Sequence, residues 1–183
     1  MIDSIIITNL SEAKHVPFKI DLLQTAWISL SDPEDEATIK KLKTRFVNAR
    51  VKHFSQLFRD WSDEDTETYI QDRLHIEGPQ ERHVNNIISF LEPLVSSDTH
   101  HHLGINCYAG ISRSTAVGII AWVMQGKSVE EALQYILKVR PVAWPNLRVL
   151  KLASARLGKN IMTAVSDWKV KESEKGIIIP HEL

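Results

Sequence analysis

Short β-branched runs alternate with longer stretches of helical periodicity along this chain. Ser4-Ile5-Ile6-Ile7-Thr8 and Ala26-Trp27-Ile28-Ser29-Leu30 have the length and composition of buried strands. Asp32-Pro33-Glu34-Asp35 then carries the marks of a helix start: an aspartate in capping position, proline in the first turn and acids at the positive end of the dipole. The helix it opens bears Lys40, Lys41, Lys43 and Arg45. Val51 to Phe58 reads as a third strand, followed by the polar, acidic loop Arg59-Asp60-Trp61-Ser62-Asp63-Glu64-Asp65. From Pro79 onward Val84, Ile87, Ile88, Leu91, Leu94 and Val95 recur on one helical face. Leu103-Gly104-Ile105-Asn106 is a short buried strand that runs into Cys107.

Ala116 to Met124 is apolar on nearly every side, which suits a helix through the middle of a core, and Gly126 ends it. Ser128 with Glu131 forms a capping box for the next helix, whose Val129, Ala132, Leu133 and Ile136 face inward. Arg140-Pro141-Val142-Ala143-Trp144-Pro145-Asn146 breaks the pattern. Asn146 then caps a helix through Leu157, closed by Gly158. Beyond Asn160 the chain is more polar and predicts no particular element. Strands alternating with helices predict an α/β fold, a central, mostly parallel sheet flanked by helices. No repeat, low-complexity segment or linker divides residues 1–183, so one domain is expected, with the clearest pattern over 51–158.

Composition narrows the function without naming it. Hydrophobic residues make up 43% and charged residues 25%, an ordinary globular balance, and the formal net charge is −1. No overall field points to nucleic acid or an anionic membrane. The longest apolar stretch, Ala116 to Met124, is far short of the roughly 20 residues that span a bilayer. The first residues show neither a basic n-region nor a long apolar h-region, so a soluble, cytoplasmic protein is expected. The one cysteine, Cys107, excludes an internal disulfide framework, multi-cysteine zinc sites and mechanisms that need a resolving thiol.

The candidate chemistry lies in Asn106-Cys107-Tyr108-Ala109-Gly110-Ile111-Ser112-Arg113-Ser114-Thr115, between a predicted strand and a predicted buried helix. A loop at a helix N-terminus offers unpaired N–H groups and the dipole to an anion. Gly110 lets the backbone curl so that several N–H groups converge. Arg113 can grip two phosphate oxygens at once. The same field favours a thiolate at Cys107, able to attack phosphorus. Ser114 or Ser112 can hydrogen-bond the sulfur.

Cys107 to Ser114, CYAGISRS, closely resembles the Cys-x5-Arg signature loop of the protein tyrosine phosphatase superfamily, in its compact dual-specificity-like branch. Arg140-Pro141 followed by Pro145-Asn146 resembles a further element of such small phosphatases, and Val51 to Gly158 is similar in layout to bacterial members. The resemblance implies a phosphomonoester hydrolase of tyrosine or dual specificity, without metal or cofactor, acting on a phosphorylated protein or another phosphomonoester. It implies Cys107 as nucleophile, Arg113 as phosphate clamp, Ser114 as partner of the sulfur, and Tyr108, Ala109, Gly110, Ile111, Ser112 and Arg113 as the phosphate-binding loop. The family's general acid is an aspartate on a loop after an upstream strand. Asp60 matches best, with Asp63 and Asp65 as competitors. In one departure, Asn106 stands where the family has histidine. The chain is short for the tyrosine-specific members with additional pocket loops, and the loop interior lacks the lysines of phosphoinositide-directed relatives.

Other readings compete. A rhodanese-like sulfurtransferase also uses a cysteine in a cradle loop, but Arg113 and CYAGISRS speak against it. A pseudophosphatase, binding phosphoproteins without turnover, is favoured by Asn106 alone. His100-His101-His102 is expected in an exposed loop, since consecutive imidazoles cannot all face one ion. The basic residues from Lys40 to Lys52 are expected as a solvated helix face. Trp61 either covers a substrate ring or packs its own loop. Arg140 either supports the phosphate loop from behind or caps the preceding helix.

Overall fold

The computed structural model describes residues 1–16, 24–49, 51–61 and 78–175; Asp63 and Asp65 lie outside the described residues. Four strands form one sheet: β1 (Ile2–Asn9), β2 (Thr25–Ser31), β3 (Lys52–Leu57) and β4 (His101–Cys107), in the order β1-β4-β2-β3. Every pairing is parallel, with Ile7 beside Ile105, Ile28 beside Ile105, and Ile28 beside Phe54. The central strand β2 is buried along its whole length, which explains its nearly unbroken apolar run.

Helices cover both faces. On one face lie α1 (Leu10–Ala13) and α2 (Glu36–Asn48), packing Leu10, Ile39, Leu42 and Phe46 against Trp27. On the other lie α3 (Glu81–Val95), α4 (Arg113–Met124), α5 (Val129–Val139), α6 (Leu147–Leu157) and α7 (Ile161–Glu174). The larger core sits there, with Ile5, Ile28, Leu30, Leu103 and Ile105 packed among Ile87, Ile88, Leu91, Val117, Ile120 and Ile136. Alternation along the strands sorts the side chains: Ile105 and Cys107 join the larger core, while Asn106 lies on the Trp27 face. Helix α4 is buried on almost every side, as its continuous apolar sequence predicts.

Several local expectations hold atom by atom. Ser128 and Glu131 exchange both capping-box bonds, Asn146 accepts from the Val149 amide, and Gly158 closes α6 in the left-handed region at φ 63°. Three elements differ. Asp32 makes no capping bond; Pro33–Asp35 is a single 3₁₀ turn before α2, and the Asp32 carboxylate pairs with Arg113 instead. His101 and His102 are not in a loop but open β4, half-buried, with His102 Nδ1 against Ser4 Oγ at 2.8 Å. They join the sheet because β1 supplies a parallel partner. The polar stretch beyond Asn160 forms α7, which buries only Ile161 and Val165 fully and so shows little periodicity.

Trp27 needs a glycine opposite it. A Cβ on Gly104 would stand 1.9 Å from the Trp27 ring, whose other side stacks on Phe46 at 4.8 Å. Gly104→Ala is therefore expected to lose about 1–3 kcal/mol of stability through overpacking, measured by denaturant unfolding. Unchanged stability in that variant would contradict the packing described.

Candidate active site

Parallel strands end at one edge of the sheet, where α/β proteins bind their ligands. Asn9, Asp32, Asp60 and Cys107 all come from the carboxyl ends of strands or the residues just beyond. Cys107 ends β4, residues 108–112 form a loop, and Arg113 opens α4. The loop's five carbonyls are all bonded from outside. Leu10 N–H donates to Tyr108 O at 3.0 Å, Trp144 N–H to Ile111 O at 2.9 Å and Asn146 N–H to Ser112 O at 3.3 Å. Arg140 donates from Nη2 to Ala109 O at 3.2 Å and from Nε to Gly110 O at 3.1 Å. Thr115 Oγ1 adds bonds to Ile111 O and Ser112 O. Carbonyls fixed outward leave the peptide N–H groups to turn inward, which is the geometry of an anion nest.

Gly110 makes the curl at φ 70°, and a Cβ there would lie 2.7 Å from the backbone of Thr8 and Asn9. Ser112 caps nothing. Its hydroxyl donates to Asp60 Oδ1 at 2.7 Å and makes no capping bond to α4. The Cys107 sulfur accepts from Gly110 N–H at 3.2 Å and lies 3.1 Å from Ser114 Oγ. Of the two serines proposed as partners of the sulfur, the structure brings Ser114 to it.

Arg113 is fully buried. Nη1 donates to Phe58 O at 2.5 Å and to Asp32 Oδ1 at 3.1 Å, while Nε has no hydrogen-bond partner among the described residues and stands 3.7 Å from Asp60 Oδ2. A buried charged donor left open is costly unless something fills it, and an anion in the cradle would do so. Asp60 Oδ1 accepts from Ser112 and, at 2.7 Å, from Asn146 Nδ2. Its Oδ2 faces the arginine and accepts no hydrogen bond from a described residue. Arg140, balanced between two roles on sequence, fills both: its backbone N–H caps α5 on Ile136 O at 2.8 Å, while its side chain braces the loop and pairs with Glu12 at 3.2 Å. Tyr108 is exposed, so its ring stands at the rim.

Sequence reasoning did not find the support beneath Asn106. Trp27 Nε1–H can only donate, so Asn106 presents Oδ1 to it, at 2.8 Å. Ser29 Oγ–H donates to the same oxygen at 2.8 Å, and Ser29 in turn accepts from His53 Nε2 at 3.0 Å. Asn106 Nδ2 is buried with no partner among the described residues. The side chain before Cys107 is thus fixed by the neighbouring strand β2, itself backed by His53 of β3. Nor did the sequence reveal Lys169 on α7. Its ammonium lies 4.7 Å from the Trp144 ring centroid, and burial lowers it to about 8, opposed by the charge of Asp60. Among the described residues no group of three or more His, Cys, Asp or Glu side chains is placed to hold a metal, and no helix is long and apolar enough to cross a membrane.

No protein-family model matches the chain. Human protein phosphatase Slingshot homolog 3 is 32% identical over 95 residues, which are 51% of this chain and 14% of that protein, so the chain spans a small part of that relative. Among solved structures, human tyrosine phosphatase-like serine/threonine/tyrosine-interacting protein matches with a TM-score of 0.55 and 15% identity, covering 84% of this chain and 91% of that one. Tk-PTP in its active form matches with a TM-score of 0.53 and 16% identity, over 84% and 89%. A mouse putative dual specificity phosphatase complexed with zinc tungstate gives a TM-score of 0.52 and 20% identity, over 82% and 80%. The fold is that of the tyrosine and dual-specificity phosphatases. The human and mouse names do not single out the bacterial members.

Two buried imidazoles give the fold an acid limit. Burial, aided by Lys43 for His53 and by Arg82 for His83, lowers both from 6.5 to about 4. Between those pH values the unfolded chain binds protons that the folded chain refuses, so stability is complete above about 6.5 and falls as pH drops toward 4. Thermal midpoints across that window should fall less steeply in the His53→Gln/His83→Gln variant. Equal slopes in both proteins would contradict the burial of these rings.

Proposed function

We propose that this chain is a phosphomonoester hydrolase, a protein tyrosine or dual-specificity phosphatase, working through a phosphocysteine on Cys107. The observation that carries this reading is the loop with all five carbonyls bonded outward around the Cys107 sulfur, closed by an arginine with an open Nε.

In the first step the Cys107 sulfur attacks phosphorus and the ester P–O bond breaks. The loop amides and Arg113 Nε hold the non-bridging oxygens as charge develops on them. Asp60 gives a proton from Oδ2 to the departing alcohol, while Ser112 and Asn146 keep the carboxyl in place through Oδ1. In the second step water attacks phosphorus and passes a proton back to Asp60. The S–P bond breaks, and Gly110 N–H and Ser114 Oγ receive the thiolate. The chain supplies every group in this scheme, with no metal or cofactor. A reduced lone thiol fits a cytoplasmic setting. The substrates in this reading are phosphoproteins, taken at phosphotyrosine or at phosphoserine and phosphothreonine.

A phosphoprotein-binding module without turnover is the second reading. Asn106 before the nucleophile favours it, as does the likeness to a protein named phosphatase-like and interacting. One experiment separates them. Cys107→Ser should abolish hydrolysis of phosphotyrosine peptide yet keep vanadate or tungstate affinity. Asp60→Asn should slow that hydrolysis by on the order of 10²–10⁴ and slow activated aryl phosphates less. Wild-type protein that binds phosphopeptide but turns over neither substrate would establish the binding module.

A further inference from the structure

Helix α7 packs beside the segment that braces the phosphate loop, although its sequence shows little pattern. Trp144 is buried, its backbone N–H holds Ile111 O of the phosphate loop, and its ring stands 5.5 Å from Trp168. On that ring lies the half-buried Lys169 ammonium. The other basic groups of this region are engaged with the protein: Arg113 with Phe58 O and Asp32, Arg140 with the loop and Glu12, Arg148 with Pro79 O. Lys169 has no hydrogen bond or ion pair with a described residue, and the π face beneath it offsets part of its desolvation.

The local charge balance gives this cation a use. Arg113 is already engaged by Asp32 and faces Asp60, so its charge is occupied inside the site, whereas the Lys169 ammonium stands over a neutral ring. We infer that Lys169 is a specificity-determining residue, receiving the carboxylate of an acidic side chain that a peptide substrate carries next to its phosphorylated residue. This rests on the phosphatase reading of the site. The Trp144 ring holds the ammonium in place, so little freedom is lost when the carboxylate arrives. The charge of Asp60 helps keep Lys169 protonated at neutral pH.

The test compares three phosphotyrosine peptides that differ only beside the phosphorylated residue, carrying Glu, Gln or Lys. Wild-type kcat/KM should favour the Glu over the Gln peptide by about tenfold, the scale of one partly desolvated ion pair, and disfavour the Lys peptide. Lys169→Met should erase that order while leaving a small neutral aryl phosphate unaffected, and Lys169→Arg should restore it. Equal wild-type kcat/KM for the Glu and Gln peptides overturns the inference, as does a Lys169→Met loss that is the same for all substrates. If no peptide is turned over, the phosphatase reading fails separately. The Kd order of the same peptides on the wild-type protein then decides the role of Lys169.

Discussion

Backbone carbonyls cannot be left buried and unpaired, and in the loop from Tyr108 to Ser112 each finds its partner on the outside. The partners come from four places: the start of α1, the side chain of Arg140, the extended segment through Trp144 and Asn146, and Thr115 in the first turn of α4. Pinned this way, the loop curls at Gly110, whose positive φ carries the turn and whose N–H reaches the Cys107 sulfur. The cradle is therefore set by the fold before a ligand is present, and catalysis by preorganised dipoles needs that condition.

The parallel sheet makes the convergence possible. Four strands ending at one edge deliver Asn9, Asp32, Asp60 and Cys107 to one region, although they are far apart in sequence. Asn146 ties three parts together: its Oδ1 caps α6, its Nδ2 holds Asp60, and its amide holds Ser112 O. On the opposite face Trp27, Ser29 and His53 fix the side chain of Asn106. A buried arginine with two carboxylates around it would cost stability were its buried Nε donor to stay empty. Arg113 is held in that state by Phe58 O and Asp32, with Nε turned toward Asp60 and without a bond.

What the sequence made legible is what local pattern encodes. The strand–loop–helix around Cys107 could be read because Gly110, Arg113 and the apolar α4 stand within a few residues of one another. The caps at Ser128 and Asn146 are equally local. Asp32 looks like a cap because its neighbours suit a helix start, but the ion pair with Arg113 joins residues 81 apart in sequence and leaves no mark near Asp32. His101 and His102 look like loop residues until β1 is available to pair with them. Lys169 was invisible for a similar reason: α7 packs by a few residues, and nothing around it in sequence indicates that it meets Trp144. That Arg140 is both cap and brace also needed three dimensions.

The claim on which the account rests is that the cradle serves a nucleophilic sulfur. Rapid mixing of the protein with an aryl phosphate, followed by acid quench and peptide mass spectrometry, reads this directly. One phosphoryl group should appear on the peptide containing Cys107 during turnover, decay as inorganic phosphate is released, and be absent after alkylation of the thiol. Steady turnover with that peptide unmodified, or with the phosphoryl group on any other residue, would contradict it.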